Sequence, residues 1–482
     1  MLIFRKNGRV FEIIALPGEE VFKGEYLLIS DDQENYKILV QVIDINYVDV
    51  PGLLEELLRE GMLNNGGIKY INPTDLSRTI KILRDTRLLT CIARGALING
   101  KFTTIINNLP SRVNSRIYRI STSDVISLIN INNRLKIEVG LDEDGEKINL
   151  DASMLDGSLT LITGMKGVGK SHLAKLLVLQ LVKYGAPVMV LDLNGEYIGL
   201  AEDKDIKLLI PGKNLFFSPN YLGRETFLNV LVHVLELPGV SANIYNELWS
   251  LFERRKDLSI EGMIEVTNRV VNNMMIRDAI ISRLMILKAM RFISNEKCTP
   301  LESIIRRGLG LIIQLRGLSS IEKKVLVEII LSKLVNLLEN GNIPPLFLFA
   351  EEAHMYIRDT YWEDIITRMR HYGLYVIFIT NQPDSIDNKV FRQIDNIFIF
   401  RFLNEHDLEL LSKVSNIDAQ TIKSLAKELS VGQCIVIGKL VNDIPIMIRV
   451  LELPVKAFGE SKKVFDLPSV SDDKQHISSQ LL

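Results

Sequence analysis

At 482 residues the chain is longer than one compact core accommodates, and length favours roughly two to four domains. Apolar residues make up 47% and the formal net charge is -2, so burial is ample and no overall basic field exists; a nucleic-acid partner would have to be held by a local stripe of charge. The three cysteines, Cys91, Cys298 and Cys434, share no CxxC or Cys/His spacing, so neither a disulfide framework nor a zinc site is indicated, and a reducing, cytoplasmic setting fits best.

The first residues, Met1 to Leu16, intersperse Arg5, Lys6, Arg9 and Glu12 among apolar positions, and no stretch of about 18 uninterrupted apolar residues follows anywhere. Neither a signal peptide nor a membrane span is expected. Residues 1–150 then run as short β-type segments with turn residues between them, among them Tyr26 to Ile29, Tyr36 to Ile45, Arg87 to Ala93, Arg116 to Ile120 and Leu135 to Val139. A helical patch, Leu53 to Gly61, interrupts them. Many short strands need closure or a second sheet to bury both faces, so a small N-terminal β-barrel domain with connecting strands is expected.

From Leu159 the pattern changes to strand alternating with helix. Strands are expected at Leu159 to Thr163, Pro187 to Asp192, Gly310 to Leu315, Leu346 to Ala350, Leu374 to Thr380, Asn396 to Phe402 and Gly432 to Ile437, with helices such as Ile321 to Glu339 and Asp407 to Lys413 between them. That is the pattern of a doubly wound α/β nucleotide-binding domain over 151–455. Residues 224–306 are helical in period and poor in strand signals, which predicts a helical-bundle insertion. The tail, 456–482, turns polar and is expected to be extended or disordered.

Two segments carry the chemistry. Gly164-Met165-Lys166-Gly167-Val168-Gly169-Lys170-Ser171 is a complete phosphate-binding loop between an apolar strand and a helical run. Its glycines, Gly164, Gly167 and Gly169, with Val168, let backbone N–H groups surround phosphate oxygens at a helix N-terminus. Lys170 would neutralise phosphate charge, and the Ser171 hydroxyl would ligate Mg2+. Far downstream, Leu346 to Ala350 ends in Glu351-Glu352, and the ends of parallel strands face the ligand crevice. Glu351 is expected at the metal, through a bound water, and Glu352 as the carboxylate that activates the attacking water.

Further candidates flank these. Asn381 and Gln382, before Pro383, end the strand beside the acidic one, where an amide could sense phosphate or hold the water, or could simply form the turn. Arg370 and Arg401, with Arg368 as a competitor, could reach the transition state from a neighbouring subunit or form ion pairs. Asp192-Leu193-Asn194-Gly195-Glu196-Tyr197 follows the second core strand and could contact the site or cap a helix, and His354 reads as a packing residue. Lys213, Arg254-Arg255-Lys256, Arg306-Arg307 and Lys389 with Arg392 are basic candidates for phosphate-backbone contact, although such runs are usually solvated faces.

Taken together, Gly164 to Ser171, Asp192 to Tyr197, Gln314-Leu315-Arg316-Gly317-Leu318-Ser319, Glu351-Glu352-Ala353-His354, Arg370-His371-Tyr372-Gly373 and Phe400 to Asp407 resemble the HerA-type archaeal DNA helicases of the HerA/FtsK P-loop ATPases. The resemblance implies a RecA-like core with a helical insertion behind a small β-barrel, and a hexameric ring that hydrolyses ATP to translocate double-stranded DNA with a NurA-type nuclease in end resection. It also implies an arginine, Arg370 or Arg401, donated in trans. Three positions depart from the family pattern: Asn381-Gln382-Pro383 replaces Gln-Arg-Pro, the phosphate loop carries Lys166, and Met355 replaces Asn after the Glu-Ala-His run. Hydrolysis is expected to survive them. A conjugation, secretion or genome-packaging motor of the same superfamily, and an ATP-gated assembly module, are the alternative functions; Glu352 argues against the last, because a nucleotide sensor needs no water-activating acid.

Overall fold

The structure is a computed structural model that describes residues 1–31, 36–47, 85–106, 108, 110–112, 114–129, 135–254, 258–352, 355, 370–386, 388–414 and 417–453. The expected helical patch at Leu53 to Gly61, His354, Arg368, Arg255, Lys256 and the C-terminal tail lie outside the described residues.

The N-terminal region forms one antiparallel sheet. Its strands are β1 (Leu2–Asn7), β2 (Val10–Ala15), β3 (Tyr26–Asp31), β4 (Tyr36–Tyr47), β5 (Arg87–Ile98), β6 (Lys101–Thr103) and β7 (Ser115–Ile120). They run in the order β1-β2-β5-β4-β3-β7, with β6 paired to β5. Among the described residues β1 and β7 do not pair, so the expected barrel is observed as an open, half-barrel sheet. Alternation along β4 explains why it stays open. Ile38, Val40 and Val42 pack with Leu27, Ile29 and Cys91 in the sheet's own core, whereas Leu39, with Tyr26 and Leu28, joins the core of the larger domain. The second face is therefore buried against a neighbour and needs no closure.

After α1 (Thr122–Ile129) come β8 (Lys136–Leu141) and β9 (Lys147–Asp151). Sequence pattern groups them with the N-terminal strands, yet β8 pairs antiparallel with the last strand among the described residues, Arg449 opposite Leu141, and both belong to the larger sheet. That sheet also contains β10 (Thr160–Thr163), β11 (Val188–Asp192), β12 (Ile206–Leu209), β13 (Gly310–Gln314), β14 (Leu346–Glu351), β15 (Leu374–Thr380), β16 (Asn396–Ile399), β17 (Gln433–Gly438) and β18 (Ile446–Val450). The eleven strands follow the order β12-β13-β11-β14-β15-β10-β16-β17-β18-β8-β9 and are parallel from β12 to β16.

Parallel strands covered on both faces read as continuous apolar runs. β14 sends Leu346, Leu348 and Ala350 to one core and Phe347 and Phe349 to the other. α2 (Lys170–Lys183) packs on the second face and the long α8 (Ser320–Glu339), opened by a Ser319/Glu322 capping box, on the first. The helical insertion is α3 (Pro219–Asn229), a π-helical segment (Val230–Val234), α4 (Gly239–Glu253), α5 (Ile260–Val270), α6 (Met274–Lys288) and the short α7 (Leu301–Ile304). Its aromatic centre, Tyr245, Trp249 and Phe252, is continuous with the first core. The remaining helices are α9 (Asn388–Phe391), α10 (Glu405–Val414) and α11 (Ala419–Glu428). No helix among the described residues is long and apolar enough to cross a membrane.

The two sheets are tied together by polar contacts. Arg94 on β5, almost wholly buried, donates to Gln41 Oε1 at 3.0 Å, Asp418 Oδ2 at 3.1 Å and Thr421 Oγ1 at 2.7 Å. Gln41 in turn donates to the Pro445 carbonyl at 3.0 Å, which also accepts the Tyr26 hydroxyl.

Candidate functional site

β10 pairs with β15 on one side and β16 on the other, with Thr163 opposite both Thr380 and Ile399. β15 is therefore inserted between the phosphate-loop strand and the acidic strand β14, and the C-terminal ends of these strands bring Gly164, Asn381, Glu351 and Glu352 to one edge. Thr163 Oγ1 donates to the Thr380 carbonyl at 3.0 Å and fixes the register where the loop begins.

The phosphate loop is shaped by close backbone approach. A Cβ on Gly164 would lie 2.5 Å from Phe400 Cβ and 3.1 Å from Val168 Cγ2, so only glycine fits. Gly169, the N-cap of α2, has φ 115 and a Cβ there would meet Phe400 Cε1 at 3.2 Å. The loop is held from outside: the Met165 N–H donates to the Arg401 carbonyl at 3.0 Å and the Gly432 N–H to the Val168 carbonyl at 2.9 Å. Lys170 is 7% exposed, and its Nζ donates to the carbonyls of Gly164 at 2.9 Å and Met165 at 2.7 Å. Burial lowers the pKa of its ammonium; Glu352, then Glu196 and Glu351, oppose that fall. Of the acids, Glu352 therefore acts on Lys170 most strongly.

Of the two successive acids, Glu351 is the last residue of β14 and Glu352 lies just beyond it. Glu351, 2% exposed, turns toward the loop after β11, where its Oε2 accepts the Leu193 N–H at 3.0 Å and the Asn194 N–H at 3.4 Å. Glu352 follows with φ 48, a left-handed conformation uncommon for a non-glycine residue and one that clusters at functional positions. Asp192, wholly buried, accepts the N–H groups of Gly195 at 2.7 Å, Glu196 at 3.0 Å and Tyr197 at 3.0 Å. The Asp192 to Tyr197 segment is thus a turn folded around its first carboxylate. Burial, reinforced by the charges of Asp192 and Glu196, pushes the Glu351 carboxyl up to about 9, and burial also raises Asp192.

Lys175 was not legible as a site residue. One turn beyond the loop on α2, it is 4% exposed and lies 5.7 Å from the centre of the Tyr197 ring. Burial lowers its pKa against the pull of Glu196, Glu351 and Asp192. A lysine within an otherwise apolar stripe of α2 was the available signal. Asn381 is half-buried at the end of β15, and among the described residues its Oδ1, shielded from solvent, has no hydrogen-bond partner. An orphaned amide oxygen at the edge shared by phosphate loop and acids is what a site built for a further polar occupant presents. Gln382 is exposed and its N–H donates to Thr380 Oγ1 at 3.0 Å.

The two arginines separate. Arg401 is exposed just past the end of β16, beside the phosphate loop. Arg370 lies at the opposite edge, paired with Asp395 and donating to the Gly157 carbonyl. Leu159 and Gly164, at the two ends of β10, are roughly 16 Å apart along an extended strand, so Arg370 does not serve its own phosphate loop. Of the basic candidates, Lys213, Arg254, Arg306, Arg307, Lys389 and Arg392 are exposed.

The donor set suits a nucleoside triphosphate and a hard cation: glycine-cradled N–H groups, the buried Lys170, a hydroxyl at Ser171 and clustered carboxylates. Among the described residues no separate group of His, Cys, Asp and Glu forms a metal cluster.

Comparison with known proteins gives the same picture. Residues 137–334 match the family model described as Helicase HerA, central domain. A protein of Methanocaldococcus jannaschii named Probable helicase MJ1565 is 21% identical over 95% of this chain and 92% of its own length. The DNA double-strand break repair helicase HerA of Sulfolobus acidocaldarius is 22% identical over 94% of this chain and 93% of its own. Among solved structures, VirB4 of Thermoanaerobacter pseudethanolicus superimposes with a TM-score of 0.54 at 16% identity, covering 67% of this chain and 98% of that one. The plasmid coupling protein TrwB in complex with ADP and Mg2+ gives 0.53 at 12%, covering 70% and 94%. These likenesses establish a RecA-like P-loop ATPase fold.

Proposed function

We propose that this chain, a HerA-type member of the P-loop ATPases, is an ATP-driven translocase of double-stranded DNA that works as a ring, with six copies as the expected number. The observation that carries the proposal is that the C-terminal ends of β10, β14 and β15 bring the phosphate loop, Glu351-Glu352 and Asn381 to one edge of the sheet. ATP is the substrate. N–H groups of Gly167 to Ser171 bind its phosphates and Lys170 offsets their charge. Ser171 would hold Mg2+ directly and Glu351 through a bound water, and the ion would supply charge neutralisation for the transferred phosphoryl group. Asn381 orients the attacking water and Glu352 accepts its proton. Arg370, too far from its own loop, acts on the nucleotide of an adjacent copy, and Arg401 acts beside its own.

DNA end resection with a NurA-type nuclease is the proposed biological setting; relatives named as DNA double-strand break repair helicases support the repair part of it. A translocating ring contacts backbone more than bases, so binding is salt-sensitive and tolerant of sequence. The test is steady-state ATP hydrolysis with and without linear duplex at two salt concentrations. Duplex should stimulate hydrolysis more at low salt. Hydrolysis indifferent to duplex would favour a conjugation, secretion or packaging motor; the fold is shared with VirB4 and the plasmid coupling protein TrwB.

A further inference from the structure

Asp395 stands at a junction that the nucleotide site does not use. It precedes β16 at the edge opposite the phosphate loop and is 11% exposed. Its Oδ2 pairs with Arg370 Nη2 and also accepts the Leu159 N–H at 2.9 Å, and its Oδ1 pairs with Lys439 Nζ at 2.7 Å. The backbone is fixed as well: the Asp395 N–H donates to the Leu159 carbonyl at 2.8 Å, and its carbonyl accepts the Lys439 N–H at 3.2 Å. Gly438 packs so closely that a Cβ there would lie 2.0 Å from the Asp395 carbonyl oxygen. The carboxylate is therefore immobile, and Arg370 with Lys439 holds its pKa below the ordinary carboxylate range despite burial.

Arg370 is fixed on two sides. Nη2 is held by Asp395 and Nε by the Gly157 carbonyl, while among the described residues Nη1 makes no hydrogen bond. The side chain remains 35% exposed. A free arginine would spread over many rotamers. One clamped along Nε and Nη2 presents its remaining edge outward at little further entropic cost.

We propose that Asp395 is the positioning residue for Arg370, clamping the guanidinium so that its free edge meets the nucleotide of the adjacent copy. The proposal rests on the reading of Arg370 as an arginine donated in trans. Through Leu159 the clamp is attached to the start of β10, whose far end opens into the phosphate loop. The strand that binds a subunit's own nucleotide thus carries the device that serves its neighbour's. Lys439, with its side chain 55% exposed, keeps Asp395 ionised without occupying the oxygen that Arg370 uses.

Subunit mixing tests this on the full-length chain with MgATP and duplex. Asp395→Asn should lower kcat by about 10- to 100-fold with the KM for ATP little changed, as removal of an orienting partner does. Mixed with equal Glu352→Gln, it should regain activity above the sum of the two. A Glu352→Gln copy supplies a clamped arginine to the intact nucleotide site of an Asp395→Asn copy, and random assembly makes about one interface in four competent. A merely structural defect in Asp395→Asn would spoil its own nucleotide site and would not be rescued. Arg370→Ala mixed with Glu352→Gln is the parallel control. If that control recovers while the Asp395→Asn mixture does not, or if Asp395→Asn alone keeps wild-type kcat, the positioning role is wrong. If the Arg370→Ala mixture itself stays inactive, donation in trans is wrong and the proposal falls with it. Should Asp395→Asn not fold, Asp395→Glu, which keeps the charge but displaces it, replaces it under the same readouts.

Discussion

Glu351 and Glu352 are neighbours in sequence for which different tasks are proposed, and their environments separate them. Glu352 follows the end of β14 at the edge that also carries the phosphate loop, so Glu352→Gln should leave ATP binding intact while lowering hydrolysis by about 10²- to 10⁴-fold. Lys170→Ala should instead abolish binding, and nucleotide titration followed by turnover separates the two. Glu351 makes a pH prediction. Its carboxyl is raised to about 9, so between the ordinary carboxylate range and that value the folded chain holds a proton that the unfolded chain has released. Stability must then fall as pH rises through this window, by at most about 1.4 kcal/mol per unit. Glu351→Gln can keep the hydrogen bonds to Leu193, Asn194 and Asp192 without titrating. In EDTA, its Tm relative to wild type should rise between about pH 6 and about pH 8.5. Parallel curves would show Glu351 ionised throughout.

Elements place these residues, and the loop between β10 and α2 is the least forgiving of them. Gly169→Ala would introduce a Cβ 3.2 Å from Phe400 Cε1 and 3.5 Å from Gly432 Cα at a φ of 115. Its expected result is weaker nucleotide binding together with a lower Tm; unchanged affinity would show that the loop accommodates a Cβ. This loop was readable from the sequence because its glycines, lysine and serine act within a few residues of one another. So was β15, expected and observed at Leu374–Thr380, because a buried parallel strand is a continuous apolar run. β12 and β18 were missed: β12 has only four residues and includes Lys207, and β18 exposes Arg449. The partnership of β8 with β18 joins residues about 300 positions apart, which no local pattern encodes. Lys175 and Asp395 escaped for the same reason. Each is defined by partners remote in sequence, Lys175 by Tyr197 and Glu351, Asp395 by Arg370, Leu159 and Lys439.

At the scale of the molecule, the N-terminal sheet and the ATPase domain share a core and a buried polar junction centred on Arg94. Arg94→Met should cost about 1–3 kcal/mol, less than a fully buried pair would, because Asp418 remains 38% exposed. Denaturant unfolding measures that cost, and retention of nucleotide binding would show that the junction fixes the sheet without shaping the site. The larger claim is that strand order, phosphate loop and acidic strand make a motor that responds to DNA. Its most direct test is ATP turnover with and without linear duplex, with Glu352→Gln as the control. Stimulation that weakens with salt and vanishes in the variant is the predicted result. Turnover that duplex leaves unchanged, or that survives in Glu352→Gln, would contradict it.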